Sequence, residues 1–238
     1  MNISNELISK KLPFNKVIYS LTPFTLLDYP DKTACIIWFA GCNMRCLYCY
    51  NPDIVLGKGK LDFETVLSFL KSRVGLLDGV VFSGGECTIH KNIIPFIREI
   101  KALGFKVKVD TNGSKPNVLK KLIEHQLVDY VALDFKSLPV SFKYITDSNL
   151  FLKFEESLSI SMASGITFEI RTTLHSELIT PSEFKKMIDY LESKNFKGNY
   201  YVQHFRNNVP TLADLNYSDK EITQQNFSTS NITVVFRE

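Results

Sequence analysis

Three cysteines in one short segment carry the clearest chemistry of the sequence. Cys42, Cys46 and Cys49 lie in the segment GCNMRCLYCYNP at 41–52, spaced as Cys-x3-Cys-x2-Cys. Thiolates are soft ligands that suit iron–sulfur clusters or zinc. Three of them on one loop can hold three irons of a cubane and leave the fourth iron open. A zinc site completed by a distant His or Cys is the alternative, although the sequence lacks the second cysteine pair that would favour zinc.

The other two of the five cysteines have a different interpretation. Cys35 lies in an apolar run and is predicted to be a core residue. Cys87 is also predicted to be a small buried side chain, since free cysteines are commonly buried, and a redox or ligand role is its alternative. Crowded cysteines in a chain without an export signal do not suggest a disulfide framework.

A glycine pair follows the second predicted strand. Ser83, Gly84, Gly85 and Glu86 follow an apolar run, and glycine lets backbone groups approach a ligand closely. A plain strand-to-helix turn is the alternative.

Charged residues end the later predicted strands. Asp110 and Asp134 end the third and fourth strands, and Lys136 lies two residues after Asp134, so these groups are expected on one face. A plain Asn-Gly turn and a surface ion pair are the alternatives. Arg171 ends the fifth strand and could bind a carboxylate bidentately, while His204 ends the sixth and could hydrogen-bond a ribose or adenine. Both could equally be surface or core groups.

Regular elements must hold these groups in place. Short β-branched runs alternate with amphipathic segments, which is typical of β/α units around a mainly parallel sheet. We predict strands near 33–40, 79–82, 105–110, 128–134, 167–172 and 200–204, and helices near 62–73, 92–103, 116–125, 149–163 and 181–193. Six units are too few to close a barrel, so we predict an α/β fold that is a partial, open six-unit β/α barrel with its site at the carboxyl ends of the strands. A doubly wound open sheet is the alternative.

Length and composition indicate the domain organisation and the classes of partner that the chain lacks. We predict one domain over 1–238, with a barrel core at about 17–206 and a C-terminal extension at 207–238. Residues 17–32 are expected to form a strand or loop covering the barrel, and 232–236 an edge strand. The 28 basic and 25 acidic residues form no block of like charge, which argues against nucleic acid. Without a signal peptide or a bilayer-length apolar run, we expect a cytoplasmic protein with no membrane contact.

The cysteine spacing, with aromatic Tyr48 before the third cysteine and a Gly-Gly-Glu segment downstream, resembles the radical S-adenosylmethionine (SAM) superfamily. This resemblance implies one 4Fe-4S cluster whose open iron is chelated by the amino and carboxylate groups of SAM. Tyr48 would lie against the adenine, and the backbone of Gly84, Gly85 and Glu86 would contact the amino group. The reduced cluster would cleave SAM to methionine and a 5′-deoxyadenosyl radical, which abstracts a hydrogen atom.

The segments Asp-Thr-Asn-Gly at 110–113 and Asp-Phe-Lys at 134–136 are similar to those of glycyl-radical-enzyme activases. The resemblance implies a SAM site that includes Asp110, Lys136, Arg171 and His204. It also implies that a monovalent cation binds near the SAM carboxylate, through Asp110, Thr111 and Asp134. Cys87 departs from the pattern, because relatives usually carry proline there.

The segment Asp-Tyr-Pro at 28–30, ahead of the first barrel strand, resembles the activating proteins of anaerobic ribonucleoside-triphosphate reductase. The implied substrate is a glycine of that partner, which would lose one Cα hydrogen, with flavodoxin or ferredoxin as the electron donor. Two alternatives stay open: a radical SAM enzyme acting on a small molecule, like the synthases of deazapurine biosynthesis, and a metal-binding protein without catalysis.

Overall fold

One sheet of eight strands organises the part of the chain that the structure describes. The computed structural model describes residues 16–220, 222 and 227–237, so the first residues and part of the extension lie outside the described residues. The strands are β1 (Ile18–Thr25), β2 (Ala34–Phe39), β3 (Gly79–Gly84), β4 (Lys106–Thr111), β5 (Tyr130–Asp134), β6 (Thr167–Leu174), β7 (Gly198–His204) and β8 (Ile232–Arg237). They lie in chain order; β1 is antiparallel to β2, and every later pair is parallel.

Seven helices accompany the sheet within the described ranges. They are α1 (Pro52–Leu56), α2 (Phe63–Lys71), α3 (Ile93–Ala102), α4 (Pro116–Glu124), α5 (Pro139–Thr146), α6 (Phe151–Ala163) and α7 (Pro181–Ser193), and a 3₁₀ turn spans Cys87–Ile89. Among the residues described, no helix combines the length and apolar character needed to cross a membrane.

The predicted α/β partial barrel is confirmed. Its six predicted strands are β2 to β7, and β8 joins them in parallel at the edge, as expected for 232–236. The region expected to cover the barrel contains β1 and then a loop whose Tyr29 packs against Tyr130. Helices α1 and α5 were not predicted, because each is short and begins at a proline, so neither shows helical periodicity.

Alternation along the strands separates two faces of the sheet. Ile37, Phe39 and Phe82 belong to the large core between the sheet and the helices. On the opposite, concave face, Ala34, Ile36 and Val81 form a small apolar floor with Tyr29. Polar residues follow above this floor, so the interior of the open barrel becomes charged towards the carboxyl ends of the strands.

Candidate active site

The cysteine loop lies at the carboxyl edge of the sheet, directly after β2. Helix α5 holds one side of the loop through its last carbonyl groups. Arg45 N donates to Thr146 O (2.8 Å), and Leu47 N donates to Ile145 O (3.0 Å). These two bonds flank Cys46, so the backbone on both sides of this cysteine is fixed by a helix far along the chain.

The C-terminal extension holds the other side of the loop. Leu212 N donates to Cys49 O (3.1 Å), and Ala213 N donates to Leu47 O (3.1 Å). Tyr50 stacks on Phe205, with 5.4 Å between ring centroids. Sequence patterns contained no sign of this clamp, because bonds between backbone groups can be made by almost any residue.

The chemistry of the three thiols fits an iron–sulfur cluster. Met44 N donates to Cys42 Sγ (3.4 Å), and the amide of Asn112 lies 3.8 Å from the same sulfur. Such hydrogen bonds tune the thiolate ligands of clusters. Burial, with the negative charge of Glu86, raises the pKa of Cys42 to about 12, and burial also raises the pKa of Cys46. Both would therefore be protonated thiols without a metal and would release a proton on binding one.

A single metal ion would need several ligand side chains that converge on one point. Among the described residues, no group of three or more His, Cys, Asp or Glu side chains is arranged to hold one metal ion. In a cubane, each thiolate binds a different iron, so its ligands need not converge on one point.

The Gly-Gly-Glu segment packs against the start of the cysteine loop. Gly85 N donates to Phe39 O (2.9 Å), and Glu86 N donates to Gly41 O (2.9 Å). Gly84 has φ of +118°, a backbone conformation that favours glycine, and a Cβ there would lie 2.4 Å from Phe39 N. The glycines are therefore needed to join two loops closely, whatever they contribute to a ligand.

The Glu86 side chain points into the protein. Its carboxylate accepts hydrogen bonds from Thr88 N (3.1 Å), Thr111 Oγ1 (2.8 Å) and Asn112 N (2.7 Å). Burial raises the pKa of this carboxyl. Glu86 thus joins the Gly-Gly-Glu segment to the end of β4, and its carboxylate is satisfied within the protein.

Arg171 lies between the two predicted site carboxylates. Its Nη1 is 3.3 Å from Asp110 Oδ2, and its Nη2 is 2.9 Å from Asp134 Oδ1. Lys136 Nζ lies 3.1 Å from the other oxygen of Asp134. The structure therefore brings Asp110, Asp134, Lys136 and Arg171 together, and we call these four residues the charged group.

Opposite charges control ionisation within the charged group. Burial raises the pKa of Asp110, but the charges of Arg171 and Lys108 outweigh it and hold the pKa below its ordinary value. Burial also raises the pKa of Asp134, but the charges of Arg171 and Lys136 outweigh it and lower the pKa below its ordinary value. Burial lowers the pKa of Lys136, but Asp134 raises it well above the usual range. All four groups are consequently charged at neutral pH.

Thr111 lies apart from the charged group, although it follows Asp110 directly. Successive side chains of a strand point to opposite faces. Its hydroxyl donates to Glu86 and accepts from Gly113 N (3.1 Å). Between Asp110 and Asp134, where a monovalent cation was predicted, the structure places the guanidinium of Arg171.

A cleft of about 420 Å³ opens along the concave face, lined by residues that include Trp38, Ser83, Gly84, Asp110, Arg171 and Gln203. Two residues before Arg171 on β6, Glu169 binds Arg237 through both of its carboxylate oxygens, at 2.8 and 2.6 Å, and accepts a hydrogen bond from Tyr130 (2.6 Å). This group of polar residues was not predicted. The alternation of Glu169 and Arg171 along β6 could have indicated it, since both positions share one face.

Tyr48 is buried beside the charged group. The Nζ atom of Lys136 lies 5.9 Å from the centre of its ring. Its hydroxyl has no hydrogen-bond partner among the described residues. Buried hydroxyls normally have one, so this atom marks a position where a ligand or water would complete the site.

His204 and Cys87 lie outside the charged group. His204 stacks on Phe236 (5.1 Å between centroids) and lines a separate small cavity with Leu174 and Asp219. The predicted contact of His204 with SAM is not tested by this position and stays a prediction. Cys87 is fully buried, with its sulfur 3.5 Å from Asp110 O, and burial raises its thiol pKa well above the ordinary value.

Comparison with known families identifies the family to which this chain belongs. The family model for the radical SAM superfamily matches residues 36–191, which include the cysteine loop and the whole charged group. The chain belongs to the radical SAM superfamily.

Curated relatives are similar to this chain over about half of its length. A putative glycyl-radical enzyme activating enzyme of Methanocaldococcus jannaschii is 38% identical over 122 residues, covering 50% of this chain and 50% of that protein. The pyruvate formate-lyase-activating enzyme of Clostridium pasteurianum is 32% identical over 126 residues, covering 50% and 52%. This chain thus matches about half the length of these relatives.

Two solved structures share the fold of this chain at low sequence identity. SuiB of Streptococcus suis bound to S-adenosylmethionine has a TM-score of 0.63 at 13% identity, covering 85% of this chain and 52% of that one. Native anSMEcpe with bound AdoMet has a TM-score of 0.56 at 20% identity, covering 70% and 49%. Both similarities show that the fold is shared.

Proposed function

We propose that the chain is a radical SAM enzyme that holds one 4Fe-4S cluster on Cys42, Cys46 and Cys49. Three observations support this: the membership of the superfamily, the three thiols on one loop, and the N–H group of Met44 directed at Cys42. The cluster and SAM, when bound, supply a one-electron cleavage that yields a 5′-deoxyadenosyl radical. The protein supplies the position and the charges around that reaction.

The proposed SAM site lies between the cysteine loop and the charged group. Lys136 and Arg171 offer positive charge to a carboxylate, the backbone of the Gly-Gly-Glu segment offers polar groups, and the Tyr48 hydroxyl lacks a partner among the described residues. The proposed contacts are Tyr48, Gly84, Gly85, Glu86, Asp110, Lys136, Arg171 and His204. A monovalent cation near Asp110, Thr111 and Asp134 would have to bind beside Arg171.

We further propose that the substrate is a glycine Cα–H bond of a partner glycyl radical enzyme. Support comes from the relatives that are activating enzymes of this kind, and from the open barrel, whose charged cleft can admit a protein loop. The Asp-Tyr-Pro segment favours anaerobic ribonucleoside-triphosphate reductase as the partner, and flavodoxin or ferredoxin would deliver the electron. The observation that carries the proposal is the position of the cysteine loop at the same sheet edge as the charged group.

Electron paramagnetic resonance tests this function. The reconstituted protein would be mixed anaerobically with SAM, a reductant and an anaerobic ribonucleotide reductase. We expect a doublet near the free-electron g value, which disappears when the partner's glycine is replaced by alanine. Formation of 5′-deoxyadenosine with a small metabolite, and no partner radical, would instead indicate a small-molecule enzyme. Bound zinc without any nucleoside product would overturn the proposal.

A further inference from the structure

A closed ring of hydrogen bonds joins the cysteine loop to the turn after β4. Asn112 Nδ2 donates to Asn43 Oδ1 (3.0 Å), and Asn43 Nδ2 donates to Ser114 Oγ (2.7 Å). The ring closes where Ser114 N donates to Asn112 Oδ1 (2.9 Å). Asn112 and Ser114 are both buried, with 5% and 4% of their surface exposed.

This ring fixes which way the Asn112 amide faces. Its oxygen accepts a hydrogen bond from a backbone N–H, and its nitrogen donates to the oxygen of Asn43. If the amide oxygen and nitrogen of Asn112 exchanged places, both hydrogen bonds would be lost. The backbone is fixed as well, because Asn112 N donates to Glu86 (2.7 Å). The same side-chain nitrogen, Nδ2, lies 3.8 Å from Cys42 Sγ.

We propose that Asn112 is a positioning residue that directs an N–H group at the Cys42 thiolate and thereby raises the reduction potential of the cluster. A hydrogen bond to a ligand sulfur stabilises the more negative, reduced state over the oxidised one. Asn112 makes this contact from the end of β4, whereas the cysteine belongs to the loop after β2. The turn after β4 therefore sets how easily the cluster accepts its electron.

The ring has a second consequence for the Gly-Gly-Glu segment. Glu86 binds both Thr111 and Asn112, so the segment that lies against the cysteine loop also holds the residue that faces the sulfur. Three strand ends are thus connected around Cys42 through buried polar groups. Such networks specify one arrangement when every member is satisfied.

The inference rests on the proposed cluster, so its test measures cluster content and potential separately. Asn112→Ala would be reconstituted, its iron quantified, and its reduced fraction followed by paramagnetic resonance at a series of fixed potentials, without SAM. Asn117→Ala is the matched control, because Asn117 is an exposed asparagine on α4. Absence of iron from the unaltered chain would contradict the proposed function instead of the role of Asn112.

We expect Asn112→Ala to keep its iron and to show, at a fixed potential, a ratio of reduced to oxidised cluster several-fold to tenfold lower than the control. A tenfold change corresponds to about 59 mV for a one-electron couple. An unchanged ratio would overturn the proposal and leave Asn112 a merely structural residue. If Asn112→Ala does not retain the cluster, the same measurement on Asn43→Ala decides. A smaller fall in the ratio of reduced to oxidised cluster supports the proposal, and an unchanged ratio refutes it.

Discussion

Gly85 lies so close to Gly41 that a Cβ on Gly85 would be 1.8 Å from the carbonyl oxygen of Gly41. That same oxygen accepts the hydrogen bond from Glu86 N. The contact joins the end of β3 to the residue before the first cysteine of the loop. It therefore ties the two loops that the proposed cofactors would touch.

Gly85→Ala should separate these loops. The added methyl meets backbone atoms that cannot rotate away, so we expect a loss of about 1–3 kcal/mol in the free energy of unfolding together with a clear loss of bound iron. Iron analysis after anaerobic reconstitution checks this. Gly104→Ala is the control, since Gly104 has φ of +92° but open space around its Cα, and strain without a clash should leave iron binding intact. Equal iron in the two variants would show that the contact is dispensable.

Cys46→Ala should abolish cluster binding and spare the fold. Cys46 lies on a loop whose backbone bonds to α5 do not involve the thiol. We expect less than about one iron per chain, with circular dichroism unchanged. Cys35→Ala, at a buried cysteine of β2, should keep about four irons per chain. Cleavage of SAM by Cys46→Ala would refute the assignment of the ligands.

Lys136→Met should weaken SAM binding while the cluster stays in place. Removing a charged hydrogen-bond donor costs about 1.5–3 kcal/mol, or roughly tenfold to a hundredfold in affinity. Calorimetric titration of SAM into reconstituted protein measures the change. Lys143→Met on the exposed side of α5 serves for comparison and should bind SAM normally. Equal affinity of both variants would remove Lys136 from the site.

Asp129 should stabilise the fold in a pH-dependent way. Its carboxylate accepts from Lys101 Nζ (2.6 Å), Val107 N (2.8 Å) and Lys106 Nζ (3.0 Å). Burial raises its pKa, but these donors prevail and lower it below the ordinary value. The stabilisation is therefore present above the unfolded pKa, about 3.9, and is lost as the pH falls through the lower folded pKa.

For Asp129→Asn we expect a loss of about 1 kcal/mol at pH 7, since the partly exposed site is screened by solvent. Urea unfolding at about pH 7 and near pH 3 measures the loss, which should shrink at the lower pH. Asp189→Asn, which removes an exposed pair with Lys185, should change stability little at either pH. A loss that grows towards low pH would show that the folded pKa of Asp129 lies above the unfolded one, contrary to this prediction.

Sequence patterns predicted those parts of the fold that depend on strong local signals. Helix α7 was predicted with its observed bounds, because Pro181 and Glu183 suit the first turn of a helix. The structure adds a capping box between Thr180 and Glu183. Helix α5 was missed, and with it the support of the cysteine loop. Its contribution is made by the carbonyl groups of Ile145 and Thr146, which leave no trace in side-chain patterns.

The sequence predicted which strand ends carry the site residues. It did not predict the directions in which their side chains point. Asp110, Asp134 and Arg171 meet because parallel strands end at one edge. The carboxylate of Glu86 points inward because Thr88 and Thr111 satisfy it there, which depends on tertiary packing. Spacing along the chain cannot show such a choice.

The clamp on the cysteine loop also bears on when the thiols become protected during synthesis. The three cysteines leave the ribosome long before Ile145 and Thr146 of α5, and longer still before Leu212 and Ala213. Until those backbone partners arrive, the loop lacks the bonds that shape it, and we expect its thiols to be more accessible to oxidants than in the folded protein. Chains released early from translation would thus be the ones most easily damaged by air, and cluster assembly is expected to follow the completion of the fold.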